Sequence, residues 1–126
     1  MPTSIEVVNA YLQLCEDRML AEASTYLAPN ILMIFPGGKT YHSLEEMIAG
    51  AKGRYSWVKK NRTDFDSLDT GNESSVISRG TLFGEDLDGQ PFTDIRYIDF
   101  FVLKNHKIVE QHVWNDLAEL GITHKN

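Results

Sequence analysis

The stretch Thr93-Asp-Ile-Arg-Tyr-Ile-Asp-Phe-Phe-Val-Leu-Lys-Asn-His-Lys-Ile-Val-Glu-Gln-His-Val-Trp-Asn-Asp116 reads as two long β-strands joined by a tight turn at Asn105-His106. Aromatic and β-branched residues dominate it, as suits a pleated, half-buried surface. Asp99 and His112 are set among them. A carboxylate in so apolar a strand needs a partner or a task.

Working back from this hairpin, alternation of apolar and polar residues places strands near 62–70, 74–85, 92–104 and 107–116, with Gly71-Asn72 and Asp88-Gly89 as further turns. The first third is helical. Thr3 and Glu6 have the form of a capping box, and Ile5, Val8, Leu12 and Cys15 recur at helical spacing, giving a helix over 4–16 with Tyr11 bordering its buried stripe. A short helix over 18–27 follows and is stopped by Pro29. Ile31 to Phe35 reads as a strand broken by Pro36-Gly37-Gly38, and 39–42 as its short return. Ser43 and Glu46 then cap a third helix running to about Tyr55.

Helices followed by a meander predict an α+β fold, with three N-terminal helices packed on one face of a curved, mostly antiparallel sheet. The whole chain, 1–126, is one domain on length alone. The strand near 92–104 is apolar on both faces: Ile95, Tyr97, Phe101 and Leu103 on one, Ile98, Phe100 and Val102 on the other. Helices cover only one side of a sheet, so a homodimer through the other face is expected, with Arg79 as an ion-pairing residue there.

A net charge of −6 argues against nucleic acid, because the only basic cluster, Lys59-Lys60-Asn-Arg62, is too short to track a phosphate backbone and reads as a solvated helix end. No apolar run approaches the roughly 18 residues of a membrane span, and no signal segment stands out. The single cysteine, Cys15, makes no intrachain disulfide and falls on the buried helix stripe, which fits a reducing cytoplasm.

If Asn105-His106 is a two-residue turn, Lys104 pairs with Lys107, and counting back sets Asp99 opposite His112, Tyr97 opposite Trp114 and Ile95 opposite Asp116. Asp99 and His112 would then form an acid/base dyad. One additional residue in the hairpin would set Asp99 opposite Val113 and send His112 to the other face. His112 and Asp116, about 13 Å apart along a strand, cannot share a metal ion. His106 lies in the turn and His124 in the tail, so no metal site is expected.

The order of elements, together with Lys107-Ile-Val-Glu-Gln-His-Val-Trp-Asn-Asp-Leu-Ala-Glu-Leu-Gly121, resembles the SnoaL-like branch of the nuclear transport factor two-like superfamily over residues 4–121. The resemblance implies a cone-shaped half-barrel whose helices and concave sheet enclose one apolar pocket, commonly in a dimer, without a cofactor. Members include polyketide cyclases, ketosteroid isomerases, scytalone dehydratase and limonene epoxide hydrolase, so fold transfers and function does not. Tyr11-Leu-Gln-Leu resembles the first-helix tyrosine of the ketosteroid isomerases, and Tyr-Ile-Asp99-Phe-Phe their strand with an oxyanion-hole acid. Their general base precedes a Pro-x-Gly turn, and Phe35 stands at that position here. Asp116 resembles the acid that follows the last strand of cyclase-like members.

These readings single out Tyr11, Asp99, His112 and Asp116 as catalytic candidates, and Met33, Phe35, His42, Tyr55, Trp57, Phe83, Tyr97, Phe101 and Trp114 as candidate pocket lining for a small apolar ligand. The expected chemistry is proton abstraction next to a carbonyl, leading to cyclisation, isomerisation or dehydration of a polyketide- or steroid-like compound. A non-catalytic ligand-binding or dimerisation module is the alternative, favoured by Phe35.

Overall fold

A computed structural model describes residues 2–123, which leaves His124 outside the described residues. Three helices, α1 (Ser4–Glu16), α2 (Leu20–Ser24) and α3 (Leu44–Ala51), accompany six strands: β1 (Leu27–Phe35), β2 (Lys39–Tyr41), β3 (Trp57–Asp69), β4 (Glu73–Glu85), β5 (Pro91–Lys104) and β6 (Lys107–Asn115). The strands form one sheet in the order β2-β1-β6-β5-β4-β3. Only β1 and β6 run parallel; every other neighbouring pair is antiparallel. The fold is the expected α+β half-barrel, with the helices against the concave face.

Local chemistry explains the helix ends. Thr3 Oγ1 accepts the Glu6 N–H while Glu6 Oε1 accepts the Thr3 N–H, the full reciprocal cap. Val7, Val8, Tyr11 and Leu12 are buried by α1, so Tyr11 lies inside the core rather than at its border. Ser43 caps α3 by accepting the Glu46 N–H, but Glu46 turns to the His42 N–H, and α3 ends at Ala51, short of Tyr55.

Three expectations are corrected. The second helix closes at Ser24, and β1 begins before Pro29, which falls in the irregular stretch between the Leu27 and Leu32 pairings where a missing N–H is tolerated. The segment Lys59 to Arg62 is not a helix end; β3 starts at Trp57, and the period of two turns Val58, Lys60 and Arg62 inward. The Asn105-His106 turn has two residues with positive φ, as expected for a tight hairpin, yet the ladder shifts register farther along. Leu103 faces Ile108 but Val102 faces Glu110, so Val109 is an additional residue in β6. Asp99 consequently stands opposite Val113, Phe100 opposite His112, Ile98 opposite Trp114 and Tyr97 opposite Asn115.

Two glycines in β4 let the sheet curl. A Cβ on Gly80 would lie 1.9 Å from the Asn61 carbonyl oxygen, and one on Gly84 2.1 Å from that of Trp57. Only hydrogen fits between β4 and β3 at these points, and β3 folds over the concave face. The main core packs α1 residues Val8, Tyr11 and Leu12 against Met33, Val76, Phe101 and Ile108. A second cluster, Leu82, Phe92, Ile95, Tyr97 and Leu117, closes the far end.

Candidate active site

Between the helices and the curled sheet lies a cavity of about 580 Å³, within the size range of sites for ring-bearing small molecules. Its walls are mainly apolar, supplied by Leu12, Leu44, Ile48, Leu82 and Val113. Its polar residues include Tyr11, Lys60, Tyr97, Asp99 and Gln111.

Asp99 is fully buried, and Lys60 Nζ lies 3.0 Å from its Oδ2. The lysine side chain is 22% exposed and passes 5.2 Å from the Tyr97 ring centroid. No well-angled hydrogen bond reaches either carboxylate oxygen from the described residues, so the ion pair is the carboxylate's only charge partner. The neighbouring hydroxyls have partners of their own: Tyr11 donates to Gln111 Oε1 at 3.2 Å, and Tyr97 shares a 2.9 Å hydrogen bond with Ser78 that either hydroxyl can donate. Glu16, at the end of α1, accepts the Lys60 backbone N–H at 2.7 Å and faces Arg62 at 3.5 Å, anchoring β3 to the helix.

Burial pushes the Asp99 carboxyl above the ordinary aspartate value, and the adjacent Lys60 ammonium opposes that rise without cancelling it. Burial also works against the Lys60 charge, but the Asp99 carboxylate outweighs it and holds Lys60 above its ordinary value. Burial raises the Cys15 thiol and carries the Tyr11 hydroxyl well above its usual value, so neither is primed to ionise.

Of the residues singled out in the sequence, Tyr11, Asp99, Phe35, Tyr55, Trp57 and Tyr97 line this cavity. Met33 and Phe101 are fully buried in the core behind it. His42 is exposed beside the start of α3. Phe83 packs edge-on against Trp57, ring centroids 6.0 Å apart. Asp116 turns to Arg96, Oδ2 to Nε 2.7 Å, at an exposed edge. His112 and Trp114 are on the convex face, their rings stacked 5.9 Å apart, and His112 Nε2 contacts Glu110 at 3.0 Å. The Asp99–His112 dyad is therefore absent, because Val109 shifts the register by one and reverses which side chains of β6 face inward.

Lys60 is the site residue that sequence reasoning missed. The signal was present: Val58, Lys60 and Arg62 alternate with Lys59 and Asn61, a strand pattern that a cluster of basic residues concealed. No group of three or more His, Cys, Asp or Glu among the described residues could hold a metal ion. No described helix is long and apolar enough to cross a membrane.

No protein-family model and no curated protein sequence matches the chain. Solved structures do. A nuclear transport factor two-like protein of unknown function from Burkholderia pseudomallei K96243 superposes with a TM-score of 0.79 at 18% identity, covering 100% of each chain. TerC, co-crystallised with polyporic acid, gives a TM-score of 0.76 at 16% identity over 93% of this chain and 94% of its own. A protein provisionally named as a SnoaL-like polyketide cyclase, from Jannaschia sp. CCS1, gives 0.70 at 18% identity over 98% of this chain and 92% of its own.

Proposed function

We propose that this chain, which has the nuclear transport factor two-like fold, is a SnoaL-like pocket protein that moves a proton next to the carbonyl of a small, ring-bearing apolar compound without a cofactor. The observation that carries this reading is Asp99: a fully buried carboxylate that lines a 580 Å³, mainly apolar cavity and has an oxygen, Oδ1, without a hydrogen-bond partner among the described residues. A ring would lie against Phe35, Tyr55 and Leu82 and present its carbonyl edge to Asp99.

In the proposed step, ionised Asp99 takes a proton from the carbon next to the carbonyl. The C–H electron pair becomes a C=C bond, and the carbonyl π pair moves onto oxygen. Returning the proton at another carbon gives isomerisation; attack of the enolate carbon on a second carbonyl gives cyclisation; expulsion of a β-hydroxyl gives dehydration. The raised affinity of Asp99 for a proton suits this work, since a base gains strength as its pKa approaches the operating pH. His112 faces away from the cavity and Asp116 is engaged by Arg96, so neither serves as the base in this scheme.

The test is deuterium uptake from solvent into an enolisable ring ketone such as 2-tetralone, followed by NMR. Asp99→Asn should slow protein-dependent exchange about 100-fold or more. Equal rates would remove Asp99 from the chemistry.

Phe35 in the cavity wall favours a second reading, a pocket that binds without turnover, because a phenyl ring cannot accept a proton. Ring binding with no exchange above background would select it. In either case a cytoplasmic homodimer is proposed, the partner covering Ile98, Phe100 and Trp114 on the convex face.

A further inference from the structure

Removing a proton next to a carbonyl leaves negative charge on oxygen, and Asp99, having taken the proton, has no charge to offset it. The group that receives this oxygen must be a donor with free N–H or O–H bonds in the cavity wall. Tyr11 donates its hydroxyl proton to Gln111, Tyr97 shares with Ser78 a hydrogen bond that either hydroxyl can donate, and neither tyrosine carries a positive charge. The Lys60 ammonium has three N–H bonds. Among the described residues its charge partner is Asp99 Oδ2, and the Tyr97 ring is beside it. Cys15 and Glu16 reach the same cavity from α1; Glu16 is held by the Lys60 backbone N–H and by Arg62.

Two groups of this ion pair thus lack a hydrogen-bond partner among the described residues: the buried carboxylate oxygen Oδ1, which can accept, and the remaining Lys60 N–H bonds, which can donate. We infer that Lys60 and Asp99 together bind an enol, enolate or phenol oxygen, with Lys60 as the oxyanion-stabilising residue of the cavity. This rests on the proton-transfer reading of the same cavity. A hydroxyl on an unsaturated ring donates to Asp99 Oδ1 and accepts from Lys60. When its O–H bond, or the C–H bond of the parent ketone, gives its proton to Asp99, the new oxyanion is paired with the ammonium, and the reverse transfer restores both. The pair is neutral as a whole, so it selects ligands that arrive uncharged. A carboxylate, which a lone lysine would attract, meets the Asp99 charge instead.

The chromophore 4-nitrophenol tests this directly, because its phenolate has its own visible absorption. Wild-type protein should bind 4-nitrophenol more tightly than either nitrobenzene or 4-nitrobenzoate. With Asp99→Asn, bound 4-nitrophenol should ionise at a pH lower by about one unit or more than with Asp99→Asn/Lys60→Gln, a tenfold effect on its acidity. Asp99→Asn/Lys60→Arg should retain the lower value. A purely structural role for Lys60 would leave the ionisation of the bound probe unmoved between these variants, and that result would overturn the inference. If the variants fail to fold, the wild-type order decides: 4-nitrobenzoate binding as tightly as 4-nitrophenol, or nitrobenzene matching it, overturns the inference while leaving an apolar ligand pocket. If none of the three binds, the pocket reading itself falls.

Discussion

Lys60 and Asp99 form an ion pair although their strands, β3 and β5, are not neighbours; β4 runs between them. Adjacent strands are about 4.8 Å apart, so a long side chain must cross the intervening strand. The close approach of β3 to β4 shortens that crossing: at Gly80, between Arg62 and Tyr97, the Asn61 backbone oxygen takes the place of a Cβ, and Ser78, between Phe65 and Asp99, has only a small side chain.

Breaking a buried pair from one side leaves the other charge stranded. Lys60→Met and Asp99→Asn should each lower unfolding stability by about 3 kcal/mol, whereas Asp99→Asn/Lys60→Met should cost clearly less than their sum. Urea titrations of the four proteins give this cycle, and additive losses would show that the two charges act independently.

Asp99 takes up a proton more readily in the folded chain than in the unfolded one, so its contribution to stability is full below about pH 3.9 and is lost as pH rises through the folded value. Lys60 also binds its proton more tightly when folded, and its contribution persists to about pH 10.4 and is lost above. The stability of wild type relative to the double variant should therefore fall as pH rises from about 4 and fall again in alkali. A difference that grows with pH in the acid range would contradict the burial of Asp99.

Gly80→Ala should destabilise the chain by about 1 to 3 kcal/mol, since the new methyl group would meet the backbone oxygen of Asn61 rather than a side chain able to move. Denaturation measures the loss. Ser78→Ala, at the same crossing, removes only the hydrogen bond to Tyr97 and should cost about 1 kcal/mol.

On the convex face, Trp114 is 56% exposed and stacks on His112, with Phe100 alongside. Trp114→Glu should convert a dimer at micromolar concentration into a monomer in sedimentation, with ring binding in the cavity changed less than twofold. A wild-type protein that sediments as a monomer would remove the proposed interface.

The fold was legible because its signals are local and repeated: the cap at Thr3 and Glu6, the helical stripe through Leu12, and the alternation along β4 and β5 all depend on near neighbours. Asp99 stood out as an acid in an apolar strand and Tyr11 through the resemblance to the ketosteroid isomerases, and both line the cavity. The partner of Asp99 was not. Whether it meets His112 depends on one backbone irregularity at Val109, which leaves no compositional mark when the additional residue is an ordinary valine. Lys60 was obscured because two lysines and an arginine in four residues look like a solvated run until the strand period is imposed on them.

The residue Val109 also acts as a parity element for everything that follows it. With it in place, Gln111, Val113 and Asn115 supply the cavity wall while His112 and Trp114 supply the outer surface. Deleting that one valine would exchange the two inventories, carrying an imidazole and an indole inward and two amides and an isopropyl group outward. A single codon thus separates a pocket whose fully buried acid, Asp99, is answered by a lysine from one in which it would be answered by a histidine.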